Sequence, residues 1–325
     1  LGEFGRIDRF FRPLAAGFPG ARDLGDDAAV FAVPDGHELV VTTDALVEGV
    51  HFLPDDPPDL VARKALRVNL SDLAAMAAEP LAYTLVTALP PRVPDSWLAA
   101  FASGLGADQE EFGIHLMGGD SVSTPGPAML SITAFGTVAR GRALGRGGAR
   151  PGDAVFVTGT LGDSALGLEV LTRGIRGLGS EAAAFLAERY RLPRPRVRLG
   201  ARLAGLASAG LDVSDGLVAD LGHLCARSGV SAVVDAARLP LSDAARDALA
   251  LDPALADRPL RGGDDYELVL AVPPAARDGL AEACAAAGVQ ATEIGRIEAG
   301  PAGRVVALDG EGAPIALGAG GWRHF

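Results

Sequence analysis

The spacing of apolar positions switches repeatedly along this chain between the helical period and the two-residue repeat of extended strands. Residues 3–15 read as a short amphipathic helix. Residues 28–33 and 38–43 read as strands, parted by the turn Pro34-Asp35-Gly36. Leu60, Leu66, Leu70, Leu73 and Met76 recur close to every 3.6 residues, which predicts a helix over 59–78 ended by Pro80. A strand over 81–89, a helix over 95–112 and strands over 114–117 and 128–139 come next.

Glycine and arginine then crowd residues 141–152, the best place for a junction between domains. The expected division is a first domain of 1–145 and a second of 146–325. Strand 154–158 leads through a glycine-rich turn into a helix over 164–171. Helices are expected at 181–189 and 195–207, then strand 211–213. After Ser214-Asp215-Gly216 a helix runs to Arg227. Strands at 230–235, 266–272, 291–297 and 304–308, with helices at 243–249 and 275–287, complete the pattern. Long strands beside helices favour α+β over a doubly wound parallel sheet.

Composition narrows the function. A chain of 325 residues, 49% of them hydrophobic, can bury the cores of two ordinary domains. No apolar run approaches the roughly 18–20 residues of a membrane span. The start, Leu1-Gly2-Glu3-Phe4-Gly5-Arg6, lacks the basic-then-apolar order of a signal peptide, so a cytoplasmic protein without a membrane partner is expected. The net charge of −12 argues against a nucleic-acid partner. Cys225 and Cys284 have neither metal-ligand spacing nor a disulfide framework. Lys64 is the only lysine and follows Arg63, so no Gly-Lys-Ser/Thr phosphate loop exists. No Gly-x-Gly-x-x-Gly sits between a strand and a helix either. A nucleotide would have to be held by another route, with cations offsetting the negative field.

Aspartates supply that route. They recur at the ends of apolar runs beside Gly, Ser or Thr: Gly25-Asp26-Asp27, Thr42-Thr43-Asp44, Asn69-Leu70-Ser71-Asp72, Gly118-Gly119-Asp120, Asp212-Val213-Ser214-Asp215 and Gly262-Gly263-Asp264-Asp265. Leu39-Val40-Val41 running into Thr42-Thr43-Asp44 reads as a buried strand with a carboxylate at its tip. Gathered carboxylates repel one another unless cations lie between them. All-oxygen ligands suit Mg²⁺, which keeps waters and bridges to phosphate oxygens.

Several longer motifs occur in order: Gly25–Ala28 (Gly-Asp-Asp-Ala), Thr42–Phe52 (Thr-Thr-Asp-Ala-Leu-Val-Glu-Gly-Val-His-Phe), Lys64–Met76, Gly118–Asp120, Arg142–Arg146, Asp212–Leu217 and Gly262–Leu268. Together they resemble the thiamine-monophosphate kinase family, within the superfamily of aminoimidazole-ribonucleotide synthetase. The resemblance runs from Gly2 to Trp322. It implies two α+β domains: an N-terminal sheet-and-helix domain that forms a homodimer, and a C-terminal α/β sandwich. It also implies ATP as co-substrate with several Mg²⁺ ions, bound across the N-terminal domain with the dimer mate supplying part of the site. The γ-phosphoryl group would pass in line to the phosphate of thiamine monophosphate. That acceptor oxygen is already anionic at neutral pH, so the reaction calls for charge neutralisation and alignment, and no general base.

The resemblance assigns metal binding to Asp27, Thr42, Thr43, Asp44, Asp72, Asp120, Asp212 and Asp215, and nucleotide contacts to Gly119, Asp120, Arg146 and Ser214. Substrate contacts fall to His51, Asp264 and Trp322. Plainer roles compete at each position. Asp215 before Gly216 could cap a helix, and Asp26 suits a turn as well as a ligand. Asp72 lies inside a helical pattern, where aspartate is a poor former and needs another reason to be present. Thr42 and Thr43 are ordinary strand residues. Gly118-Gly119 could be a tight turn, Arg146 a solvated linker residue and His51 a packing residue beside Phe52. Asp264 stands where the family usually has Glu. Trp322 could pack the tail, although an indole face suits a cationic thiazolium. Two other readings remain: another ATP-using relative of the superfamily, such as aminoimidazole-ribonucleotide synthetase, or a non-catalytic nucleotide-binding scaffold. No cysteine precedes Cys225, against a selenophosphate synthetase, and the Gly-Trp-Arg-His-Phe end lacks a hydrogenase-maturation cysteine.

Overall fold

The structure, a computed structural model, describes residues 2–316. Two compact units divide it. One is formed by the chain up to Leu73 together with Ala78–Gly141, the other by Ala74–Ala77 and the chain from Arg142 onward.

Helical turns over Glu3–Arg6, Ile7–Phe11 and Arg12–Ala15 open the first unit. Its frame is β1 (His37–Val47), α1 (Pro58–Ala75), β2 (Glu79–Leu89), α2 (Asp95–Phe112), β3 (His115–Ser123) and β4 (Met129–Ala139). The four strands lie in the order β1-β4-β2-β3, with only β2 and β3 parallel. Side chains alternate across such a sheet. One face carries Val40, Leu46, Tyr83, Leu85, Leu130, Ile132 and Ala134, all buried. Thr42 of that face bonds Asp72 of α1, and Tyr83 accepts from Gln109 of α2, so both helices lie on it. The other face shows Leu39, Val41, Val122 and Met129 to solvent, at 39, 53, 46 and 36%. Around Phe135, Met117 and Ala82 that second face is covered by Ala15, Phe18, Ala21 and Phe31.

The second unit holds β5 (Ala154–Thr158), α3 (Asp163–Thr172), α4 (Ser180–Arg191), β6 (Ala209–Asp212), α5 (Leu217–Ser228), β7 (Ser231–Asp235), α6 (Asp243–Leu251), β8 (Leu268–Val272), α7 (Arg277–Ala287), β9 (Ala291–Glu298) and β10 (Val305–Leu308). Its sheet runs β10-β7-β9-β5-β8-β6, antiparallel throughout except β10 with β7. Every residue of β8 is buried. Val269 and Ala271 join one core with Leu217, Leu221 and Leu224 of α5, while Leu268, Leu270 and Val272 join another with Leu280 of α7. A strand covered on both faces reads as a continuous apolar run. Mainly antiparallel sheets with helices packed against them make the chain α+β.

Three expectations fail locally. Residues 28–33 form no strand: apolar alternation there serves packing of Phe31 on Phe18 and Phe135, without ladder hydrogen bonds. The helix ends at Ala75, because Ala77 turns left-handed (φ 59°), and Pro80 sits within β2 beside an irregularity of register. Of the helix expected over 195–207, only Val197–Gly200 is α-helical and the rest is turn. Apolar Leu199 and Leu203 keep a helical spacing because both reach one core.

Candidate active site

Asp44 is not at a strand tip. β1 continues through Ala45, Leu46 and Val47, which places Asp44 mid-strand, on the face that α1 covers. Thr42, Thr43 and Asp44 look like the end of an apolar run, but Ala45, Leu46 and Val47 carry the strand on. Asp72 comes down from α1 to meet it, and the Thr42 hydroxyl donates to Asp72 Oδ2 at 2.5 Å. The Asp44 carboxyl is pushed up to about 7, by burial first and then by the charge and hydrogen bond of Asp72. Asp72 thus has its reason for sitting in a helix: it faces a second carboxylate and a hydroxyl, a hard-oxygen set. Thr43 points to the opposite face, where its hydroxyl donates to the Ile132 carbonyl at 3.1 Å and accepts from Thr133. Strand alternation separates the hydroxyls of Thr42 and Thr43.

Asp27 and Asp120 are exposed and line one cavity of the first unit with Asp26, Thr87, Gly118, Gly119 and Ser121, over an apolar floor of Leu85 and Met117. Asp26 pairs with Arg22 at 2.9 Å, both about half exposed. Gly118 and Gly119 form no tight turn; they belong to β3. A bulge there pairs Tyr83 with Leu116 and Thr84 with Gly118, leaving Met117 as the extra residue and re-aiming the rest of the strand, Asp120 included. Gly119 has φ 155°, and a Cβ on it would meet the Leu85 carbonyl oxygen at 1.9 Å, so no larger residue fits. Asp120 Oδ1 accepts from the Ser121 amide at 2.8 Å.

His51 lies in the turn after β1. Its Nδ1 accepts from the Val47 amide at 3.0 Å, so the proton of the neutral ring sits on Nε2, leaving that nitrogen a donor. Lys64, 2% exposed, holds the His51 carbonyl at 2.9 Å.

In the second unit, Asp212 ends β6 at 4% exposure, and Ser214 and Asp215 come after it half-buried. Asp215 does not cap α5: the cap position is Gly216, with no side-chain cap bond. Asp264 sits left-handed (φ 67°), its amide on the Ser214 carbonyl at 2.9 Å, and accepts weakly from the Tyr266 hydroxyl at 3.4 Å. Arg146 is exposed, and its carbonyl accepts from Ser228. Trp322 lies outside the described residues. Among the described residues, no three His, Cys, Asp or Glu side chains converge closely enough to hold an ion.

Three acidic residues in or beside these motifs, Asp220, Asp265 and Glu267, have roles that the sequence left unassigned. Asp220 accepts the amides of Ser214, Asp215 and Gly216. Asp265 accepts those of Gly162 and Ser164 at the start of α3. Burial first, and then the charge of Asp163, push Asp265 up to about 8, against the pull of the Gly162 and Ser164 amides and of Arg189. Glu267, fully buried, takes Thr158, Arg189 and Arg196. An acid in the first turn of a helix was the available signal for Asp220. Asp265 and Glu267 stand inside the motif Gly262–Leu268, but their roles had no local sign because their partners are distant in sequence.

The AIR synthase related protein family matches in both parts, its N-terminal domain over residues 25–138 and its C-terminal domain over 150–307. A thiamine-monophosphate kinase of Caulobacter vibrioides is 45% identical over 92% of this chain and 84% of its own length. The crystal structure of thiamine-monophosphate kinase from Stenotrophomonas maltophilia K279a is 43% identical and superposes with a TM-score of 0.83, covering 96% of this chain and 98% of that one. The structure of AaThiL complexed with AMPPCP and TMP is 33% identical, with a TM-score of 0.79 over 100% and 97% of the two chains. At that identity, over that length, this chain belongs to the thiamine-monophosphate kinase family.

Proposed function

We propose that this chain transfers the γ-phosphoryl group of ATP to the phosphate of thiamine monophosphate, giving thiamine diphosphate and ADP. The observation that carries the reading is the full-length match to a relative holding AMPPCP and TMP together. In this reading residues 1–145 bind nucleotide and metal and residues 146–325 form the second domain.

The donor chemistry fits Mg²⁺. Asp44 and Asp72 share a half-buried site where two carboxylates must be offset by a proton or a cation. We assign Asp27, Asp44, Asp72 and Asp120 of the first unit and Asp212 and Asp215 of the second to several such ions, with the Thr42 hydroxyl and Thr43 backbone oxygen beside them. Bound Mg²⁺ would neutralise charge between the two phosphates and align them. The protein's own groups do the rest. Gly119, which admits no Cβ, lets backbone come close to phosphate, and Asp120, Arg146 and Ser214 complete the nucleotide contacts. His51 Nε2–H donates to the acceptor phosphate, Asp264 contacts the acceptor, and Trp322 stacks on its cationic ring. No side chain needs to remove a proton, since the attacking oxygen is already an anion.

A second copy of the chain covers the exposed sheet face that carries Leu39, Val41, Val122 and Met129, making a homodimer. No helix among the described residues is long and apolar enough to cross a membrane. A cytoplasmic location follows from the use of ATP as donor. Purified protein given ATP, Mg²⁺ and thiamine monophosphate should form thiamine diphosphate and ADP in equal amounts. ADP without thiamine diphosphate, or no turnover, would refute the reading.

A further inference from the structure

Asp220 stands in the first turn of α5, 3% exposed, and a single oxygen of it, Oδ2, accepts three successive backbone amides, those of Ser214, Asp215 and Gly216, each at 3.0 Å. Three donors on one buried carboxylate oxygen fix the path of the loop that leaves β6 at Asp212 and carries Ser214 and Asp215. The loop has no freedom on its other side. Gly216 has φ 116°, and a Cβ there would lie 2.6 Å from the Arg261 carbonyl oxygen. The same loop is sewn to the segment Gly262–Tyr266. Asp264 donates its amide to the Ser214 carbonyl, and Tyr266 donates to that of Val213, both at 2.9 Å. Val213 in turn donates to the Glu267 carbonyl at 2.8 Å. A Cβ on Gly263 would meet the Ser214 carbonyl oxygen at 2.3 Å. Asp264 and Tyr266 both hold left-handed backbones (φ 67° and 51°), a conformation that tyrosine resists and that these amide bonds sustain.

We infer that Asp220 is a positioning residue that sets two subsites at once, the metal and nucleotide loop through its three amides and the acceptor loop through the Ser214 and Val213 carbonyls of the same backbone. The inference rests on the function proposed above. Asp220 touches neither substrate. It acts through backbone, so an acceptor oxygen at its position matters and its negative charge does not.

Asp220→Ala removes the acceptor, whereas Asp220→Asn can present an amide oxygen to the same three donors. Asp220→Ala should raise both the Mg²⁺ concentration for half-maximal rate and the KM for thiamine monophosphate by about tenfold or more, the usual scale for a lost supporting partner. Asp220→Asn should stay close to the parent in both. Backbone hydrogen exchange at residues 214–216 should accelerate in the alanine variant and stay slow in the asparagine one. A folded alanine variant with a lower melting temperature and both constants unchanged would reduce Asp220 to ordinary packing and overturn the proposal. An asparagine variant as impaired as alanine, with its amides still protected, would overturn it too, since charge would then be the active property. Should the alanine variant fail to fold, Asp220→Ser takes its place; its shorter acceptor cannot reach three amides, and the same losses are expected. If the parent protein does not phosphorylate thiamine monophosphate, the function reading fails, while the exchange measurement still decides whether Asp220 holds the loop.

Discussion

Around Asp44 the first unit places a second carboxylate, Asp72, and one threonine hydroxyl. Around Asp215 the second unit places a backbone loop held by three amides on Asp220 and two more bonds to the neighbouring segment. The first arrangement keeps repulsion in place, because burial and the neighbouring charge of Asp72 both act against ionised Asp44. The second carries repulsion as well, since burial and then the charge of Asp215 push the Asp220 carboxyl up to about 7, but there three backbone amides pull the other way and hold the loop's geometry. A cation, if bound as proposed, would therefore have more to organise in the first unit, while the second unit presents Asp215 on a loop already shaped. The contrast can be broken from either side.

The largest effect is expected where the second unit's rigidity is anchored. Glu267 is fully buried and answers Arg189, itself 3% exposed, and Arg196. Glu267→Gln removes the carboxylate that two arginines share, leaving buried Arg189 only Asp163 at 3.8 Å as an anionic partner among the described residues, and should cost about 3–5 kcal/mol of stability. Denaturant unfolding of the two proteins measures it; a loss below about 1 kcal/mol would show the pairing to be weak. Next come the first unit's carboxylates. Asp44→Asn and Asp120→Asn should each lower kcat by at least about a hundredfold, the scale of one preorganised electrostatic group, while leaving the protein folded. Near-parental turnover by both would remove these residues from the site.

The strand and helix frame was legible because period and punctuation agreed. α2 was predicted over its observed span, and so was β5, each bounded by turn residues and with apolar positions in phase. Where phase alone spoke, the reading drifted. Residues 28–33 alternate as a strand does yet pack as an irregular segment, and 195–207 carries helical spacing through turns. At the site, the aspartates stood out individually, but the partners that explain them did not. That Asp72 meets Asp44 depends on a helix crossing a strand. That Gly119 must be glycine depends on a bulge opposite Tyr83 and on the Leu85 carbonyl. Asp220, Asp265 and Glu267 were hidden because the groups they hold are backbone amides or arginines far along the chain. Contacts between distant residues have no local signature.

The smallest effect sharpens the first unit's side of the contrast. A carboxyl whose folded pKa is raised binds its proton more tightly in the folded state, so between about 4 and 7 folded protein holds more protons than unfolded. Stability contributed by Asp44 should therefore be lost as pH rises through that window, in metal-free protein. Asp44→Asn cannot ionise. With chelator present, its melting temperature should exceed the parent's at about pH 8, and the gap should close toward about pH 4. A gap independent of pH would mean that Asp44 is not held at odds with its charge.

The central claim is that carboxylates and cations bring two phosphates together for direct transfer, with no base and no covalent carrier. Single-turnover mixing with γ-labelled ATP tests this most directly. With thiamine monophosphate present, label should pass into the terminal phosphate of thiamine diphosphate at the rate at which ATP disappears. Without it, no acid-stable label should remain on the protein. A stoichiometrically labelled protein that then hands its label to thiamine monophosphate would contradict the account.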